Sequence, residues 1–380
     1  MPGEVTLIVD GKDGEKDKVR AALLEDNVVR SFHFPARGAA VGDLYLARGT
    51  GTRYGGIGRF MDLGGGEAGF LPRDKMSAHP ILRPGGLTLV QVEREAHRGK
   101  PVGLTQQIQI VGKLLIYLPC GDYIGISHRI KDTGLVRRLR EKIADWRMPG
   151  EGIILRTAAQ EGMSDERFLC ALKEGRLRWQ QVTVAARALN HPGRVYRPFT
   201  FVASVLNENH WPPAVVYSNV PIQTQALPSC VRVIYEDGRN LFATHGVEPA
   251  YAEALRSVVS LPGGASLVID YAEALTAIDV NSGSVKAGNG WERTVMTINL
   301  QAAHQIARQL RLRGIGGMVV IDFLRQEHLP DRRRVLATLS EAMADDPMTV
   351  ELFGYTRMGL VELTRKHRRS GLMDRANDSR

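Results

Sequence analysis

Cysteine is scarce in this chain: three in 380 residues, Cys120, Cys170 and Cys230. They stand far apart with no C-x-x-C, which excludes a disulfide framework and a self-contained zinc site. No apolar run approaches the roughly 18 residues of a membrane span. The opening "MPGEVTLIVDGKDGEKDK" lacks the apolar stretch of a signal peptide. The expectation is therefore a soluble, cytoplasmic protein. A phosphate loop of the form G-x-x-x-x-G-K-[ST] is also missing. The G-x-G-x-x-G frame that opens at Gly49 meets Tyr54 where its last glycine must stand. Glycine density alone thus gives no nucleotide loop, and there is no internal repeat or long low-complexity segment.

What the chain does have is core-forming material and positive charge. It is 43% hydrophobic and 24% charged, and its length suggests two to three domains. Lys and Arg number 50 against 41 Asp and Glu, a formal charge of +9. That excess favours polyanionic partners, nucleic acid first among them, although an ordinary basic protein carries the same excess.

The texture changes along the chain. "VTLIVDG" reads as a strand, followed by a charged turn and the apolar run "VVRSFHF". From about Val41, short alternating stretches between glycine turns predict a small antiparallel barrel, with Gly64, Gly65 and Gly66 as a tight hairpin turn. "LVRRLREKIADW" places Leu135, Leu139, Ile143 and Trp146 on one helical face, and a second helix begins near Asp165. Pro212-Pro213 breaks regular structure. The last third is the most regular. Strands 265–270 and 274–280 precede a helix with Val295, Ile298, Ala302, Ile306 and Leu310 at helical spacing and Gly314 just past its end. "GGMVVIDFL" (316–324) is apolar enough to predict a strand buried on both faces. A helix over about 332–344 and a last strand over 348–356 complete the reading.

Two carboxylates stand out in that last third. The first of the paired strands ends in Asp279, with Asn281 two residues on; the second, one helix later, ends in Asp322. If the unit is a crossover, the strands are parallel and both carboxylates emerge at one sheet edge, where open α/β sheets bind ligands. Two carboxylates there repel unless a cation neutralises them, and Mg²⁺ uses one or two carboxylates plus waters and phosphates. Such a metal polarises a phosphoryl oxygen and activates a water. Asn281 adds a neutral donor. The competing reading is plainer, since strand-end aspartates are common turn residues.

The run "EALTAIDVNSGSVKAG…NLQAAHQIARQLRLRGIGGMVVIDFL" resembles the catalytic region of the ribonuclease E/G family of bacterial endoribonucleases, and "RRRVLATLSEAM" and "GLVELTRK" lean toward its ribonuclease G branch. A looser match runs through "GFLP", "LLIYLP", "GISHRI" and "ILRTA". The resemblance implies a multidomain α/β fold with an RNase H-like and DNase I-like catalytic core, an inserted S1-type OB β-barrel and a 5′-sensor region. In residues, it places the RNase H-like part at 1–37 and 200–254, the barrel at 38–106, the sensor at 107–199, the DNase I-like part at 255–366 and a basic tail at 367–380. It implies that Asp279 and Asp322 hold Mg²⁺ (or Mn²⁺) and that Asn281 contacts the scissile phosphate. Phe60, Phe70 and Lys100 become the RNA-binding positions of the barrel; read alone, the two phenylalanines are core residues first. Gly112, Ile116, Arg156 and Thr157 become the pocket for a 5′-monophosphate, with His128-Arg129 adding charge nearby.

The implied activity is cleavage of single-stranded RNA to 5′-phosphate and 3′-hydroxyl ends, in RNA processing or decay, by a homodimer. Three departures accompany the match. No C-P-x-C segment occurs in these residues, which argues against the family's zinc and its usual dimer link; "IDFLRQEH" lacks the usual acidic, methionine-containing continuation; and "ATHGVEPAYAEAL" is a poor match to a glutamate-rich helix. Two other readings stand beside the enzyme: a weakly active or non-catalytic RNA-binding paralogue, and a DNA nuclease sharing a carboxylate–Mg²⁺ core.

Overall fold

The computed structural model describes residues 5–11, 18–54, 56–77, 82–83, 86–97, 99–127, 129–160, 164–209, 214–238, 240–283 and 290–377. His128 and Pro212-Pro213, singled out above, lie outside these. The chain forms two compact units, one from Met1–Pro35 with Pro212–Arg380 and one from Ala36–Trp211.

The first unit holds two sheets. One has the order Val28–His33, Val19–Glu25, Val5–Gly11, Ala214–Ser218, Val231–Tyr235. Its first three strands form an antiparallel meander, and the last two run parallel to Val5–Gly11. The turn between Val19–Glu25 and Val28–His33 is Asp26–Asn27, both at positive φ (50° and 60°), a pairing whose twist suits two-residue hairpins. The sequence reading saw only one apolar run after the charged turn; Val19–Glu25 is a separate strand.

A buried ion pair anchors this sheet. Asp10 is fully buried. Its Oδ2 accepts from Arg20 Nε (3.0 Å), and its Oδ1 accepts from the Leu241 N–H (2.9 Å) and Asn219 Nδ2 (3.1 Å). Arg20 Nη2 also donates to Asn240 Oδ1 and Glu248 Oε2, and the guanidinium lies 4.1 Å from the Phe242 ring centroid. Glu248 belongs to the helix Glu248–Ala254 in the segment that departs from the family pattern.

At the end of the third strand, His33 shares a hydrogen bond with Ser31 (2.8 Å). Burial, aided by the positive fields of Arg369, Arg311 and Arg365, pushes its pKa down to about 3. Folded, His33 is neutral; unfolded, it takes a proton below its ordinary value near 6.5. Its contribution to stability is therefore complete above about pH 6.5 and falls as pH drops toward 3. The variant His33→Gln should show a shallower loss of melting temperature across that window than the parent chain.

The second sheet has the order Val258–Ser260, Ser266–Tyr271, Leu275–Asn281, Gly317–Asp322, Val361–Arg365, Val350–Tyr355. Leu275–Asn281 and Gly317–Asp322 are parallel, as a crossover requires, and the other pairs are antiparallel. The crossover helix is Trp291–Arg313, closed by Gly314 at φ 65°, with the Ile315 N–H donating back to the Leu310 carbonyl (3.0 Å). This is the left-handed cap that glycine supplies at least cost. Val295, Ile298, Ala302, Ile306 and Leu310 are all buried, and with Val335 and Leu339 of Leu329–Ala342 they cover Leu267, Ile278, Val280, Val319, Ile321 and Leu363.

Two expectations fail in this sheet. Strand Gly317–Asp322 is not buried on both faces: Val319 and Ile321 meet the helices, while Met318, on the opposite face, is 52% exposed. Both helices lie against one face, so the apolar run marks a central strand without marking a second covering layer. Val350–Tyr355 is not the last strand either. Val361–Arg365 follows it and inserts between it and Gly317–Asp322.

In the second unit, Leu44–Tyr54, Gly58–Gly64, Glu67–Pro72, Val102–Thr105 and Leu87–Arg94 pair in that order, and Leu87–Arg94 pairs back to Leu44–Tyr54. The result is a small closed five-stranded barrel, consistent with an OB-like fold, filled by Ala47, Met61, Leu63, Leu71, Val90, Val92 and Leu104. The 64–66 turn forms as expected, with all three glycines at positive φ. Beyond the barrel lies a sheet of Ile110–Val111, Leu115–Leu118, Gly152–Leu155 and Ile124–Ile126. Helices Thr133–Trp146 and Asp165–Ala188 pack on it through Leu139, Ile143, Phe168 and Leu172. The first is capped by Asp132, which accepts from the Leu135 N–H (2.9 Å). No helix among the described residues is long and apolar enough to cross a membrane.

Candidate active site

The strand Leu275–Asn281 reaches Asn281, so Asp279 and Asn281 share a face, the one turned away from the helices. Asp279 and Asp322 are register partners in the parallel ladder. The two carboxylates therefore stand side by side at the carboxyl ends of adjacent strands, both exposed. Asn281 Nδ2 donates to Asp279 Oδ2 (2.8 Å), which fixes the amide and leaves its second N–H and its carbonyl oxygen for a ligand. Residues 284–289 of the following turn lie outside the described residues. Among the described residues, no group of three or more His, Cys, Asp or Glu is placed to hold a metal. A paired, exposed carboxylate set still suits Mg²⁺, which keeps several waters and needs only one or two protein carboxylates.

Behind Asp322 the chain is held from the helix side. Asn299 is completely buried on Trp291–Arg313. Its Nδ2 donates to the Leu324 carbonyl (2.8 Å), and its Oδ1 accepts from the Leu324 N–H (3.1 Å). One side chain thus takes over the ladder where the neighbouring strand stops, and it fixes the exit of the strand that carries Asp322. Sequence reading missed Asn299. The signal was available, because position 299 falls four residues after Val295 on the buried stripe.

On the barrel, Phe60 and Phe70 are register partners on adjacent strands, with ring centroids 5.2 Å apart and planes at 62°. Both are half-buried, while their neighbours Met61 and Leu71 fill the interior. Lys100 is exposed in the hairpin closed by the His97–Lys100 bridge.

The four sensor candidates also come together. The Gly112 N–H donates to the Leu115 carbonyl (2.9 Å), and the Arg156 N–H donates to the Leu114 carbonyl (2.9 Å). Ile116 pairs with Val111 and Ile154. Next to it, Tyr117 points inward and donates to Glu151 Oε1 (2.7 Å); burial, then that bond, push the phenol's pKa upward. Thr157 Oγ1 bonds Ser127 Oγ (3.0 Å). The Arg156 guanidinium donates to the Gly112 carbonyl (2.9 Å) and to both oxygens of Asn207, at 2.6 Å to Oδ1 and 2.9 Å to the main chain. Asn207 went unnoticed in the sequence, fifty-one residues away.

A model described as the Ribonuclease E/G family matches residues 109–368, more than half of the chain. The chain belongs to the ribonuclease E/G family. It is similar to Ribonuclease G of Haemophilus influenzae, 29% identical over 387 residues that cover 94% of this chain and 79% of that protein. It is also similar to Ribonuclease G of Escherichia coli strain K12, 27% identical over 394 residues that cover 93% and 79%. Ribonuclease E of the same strain is 31% identical over 338 residues, covering 81% of this chain but 32% of that longer protein. The two aspartates, Asn299 and the four sensor candidates all fall inside the segment that the ribonuclease E/G model matches. Phe60, Phe70 and Lys100 precede it.

Proposed function

We propose that this ribonuclease E/G member is a Mg²⁺-dependent endoribonuclease that cleaves single-stranded RNA to 5′-phosphate and 3′-hydroxyl ends, in RNA processing or decay in the cytoplasm. The observation that carries the reading is the register pairing of Asp279 with Asp322 beside the tethered Asn281 amide. Asp279 and Asp322 would hold the cation, which when bound offsets their mutual repulsion and lowers the pKa of a coordinated water. Asn281, neutral and pinned by Asp279, presents a donor to a phosphate oxygen without competing for the metal. The open sheet face leaves room for a strand of RNA over all three residues.

Three further features support the finer parts of the proposal. The strand order of the first sheet, a three-stranded meander extended by two parallel strands, supports the RNase H-like assignment for the 1–37 and 200–254 segments. The closed barrel with two rings on its outer face supports an S1-type RNA-binding module. Gly112, alone of the four sensor positions, lines a cavity of about 260 Å³ together with Lys113, Arg167 and the Arg178–Glu174 pair, a net cationic setting suited to a terminal phosphate. A second copy of the chain is the proposed protein partner.

Arg156→Ala should lower the preference for 5′-monophosphorylated over 5′-hydroxyl RNA by roughly tenfold or more, the worth of a charge-assisted hydrogen bond. Equal loss on both substrates would instead make Arg156 a strut for Asn207. The deciding experiment is incubation of a 5′-monophosphorylated, A/U-rich single-stranded RNA with Mg²⁺ and with EDTA, alongside solution mass. Cleavage only with Mg²⁺ is expected. Binding without cleavage under both conditions would support the RNA-binding paralogue, and cleavage of DNA in place of RNA would support the DNA nuclease.

A further inference from the structure

The outer face of the barrel carries a row that extends past the two phenylalanines. Phe60 pairs with Phe70, Phe70 with Gly103, and Gly103 with Arg94, on four neighbouring strands. Strands lie about 4.8 Å apart, so this row spans roughly 14 Å. Gly103 has no side chain to fill its place in the row, and Arg94 occupies that space. A Cβ built on Gly103 would come within 3.2 Å of Arg94 Cβ, 3.4 Å of Nε and 3.7 Å of Nη2. Atoms from both ends of the arginine side chain are thus near one backbone position, so the side chain runs across the glycine, whose register partner on the other side is Phe70. The register shift between Val92 and Arg94 is what turns Arg94 outward.

The electrostatics of Arg94 are unusual for a cation so placed. Its Nε is buried and makes no hydrogen bond, and no described residue gives its guanidinium an ion-pair or hydrogen-bond partner. A guanidinium is held against the barrel wall, in register with two aromatic residues, without a counterion among the described residues. Two other arginines packed on the same unit differ. Arg197 is clasped by Asp43, and Arg176 by Glu151.

We propose that Arg94 is an RNA contact, the third station of a stacking row in which Phe60 and Phe70 are the first two. One face of its guanidinium lies on the Gly103 backbone, and the other receives a base. The positive charge meanwhile acts on the adjacent phosphate, combining planarity and charge as arginine can and lysine cannot. This inference rests on the barrel being an RNA-binding surface.

The test is binding of a fluorescent single-stranded RNA to the full chain, measured by anisotropy in EDTA, for the parent and for Arg94→Ala, Arg94→Lys and Phe70→Ala. Arg94→Ala should weaken binding roughly five- to tenfold, in the range of a lost stacking or cation–π contact. Arg94→Lys should recover less than half of that loss while keeping the parent's salt slope. Unchanged binding by Arg94→Ala, with binding weakened by Phe70→Ala, overturns the role of Arg94 and leaves the barrel reading standing. Full recovery by lysine overturns the stacking role in favour of a plain charge. If Phe70→Ala has no effect either, the barrel is not the binding surface and both readings fall. Circular dichroism of each variant shows that the barrel remains folded.

Discussion

Replacing Asp279 by Asn, or Asp322 by Asn, should reduce cleavage of a 5′-monophosphorylated single-stranded RNA by more than about 100-fold, beyond the 10–100-fold typical of groups one step removed from a metal. Each change is isosteric and falls on an exposed side chain at a strand end, so neither disturbs the core packed by the two helices. Each removes one of the two adjacent negative charges that the ladder sets side by side. RNA binding should be retained, or tighten slightly, because a carboxylate near the phosphate backbone has become neutral. Metal affinity provides an independent reading: Mn²⁺ binding followed by electron paramagnetic resonance should weaken in both variants. Undiminished cleavage by either one would remove the metal assignment.

Replacing Asp10 by Ala should destabilise the first unit by about 3–5 kcal/mol, the cost of leaving a buried charge without its partner. Arg20 would keep Glu248 and Asn240 at one end of its guanidinium. The Leu241 N–H would lose its acceptor inside a closed core, while Asn219 Nδ2 would keep the Gly238 carbonyl at 2.7 Å. With total stabilities of about 5–15 kcal/mol, a loss of that size endangers folding near 37 °C. Urea denaturation of the purified chain measures it directly. A midpoint close to the parent's would mean that Arg20 alone carries the knot.

The difference between these two sites shows what the sequence made legible. Asp279 and Asp322 could be paired in advance because a single helix separates them and an apolar strand delivers each one. Periodicity located the helix and both strands, and a strand–helix–strand unit read as a crossover makes the two strands parallel. Asp10 offered no such cue. Its partners stand at positions 20, 219 and 241, and no local pattern joins them, so "VTLIVDG" read only as a strand ending in a turn residue. Phe60 and Phe70 were ambiguous between core and surface because Gly58, Gly64 and Gly69 interrupt the alternation that would have assigned faces. Asn207 was hidden for a different reason: it accepts with a main-chain oxygen as well as its side chain, and the main-chain part leaves no mark on residue identity. The strand Val361–Arg365 is only five residues long, and its position between two earlier strands is a matter of topology that no local window contains.

The separation of the two candidate metal ligands is metered by a hydrogen-bond ladder and owes nothing to the length of the connection between them. Asp279 faces Asp322 because Leu275 through Asp279 pair step by step with Met318 through Asp322. Residues added to or removed from the connection between Asn281 and Trp291 would therefore leave the carboxylates abreast. A slip of one residue in the ladder would bring Ile321 to the open face and turn Asp322 toward the helices. The site should thus tolerate drift in the length of this connection yet fail abruptly with any change in strand registration.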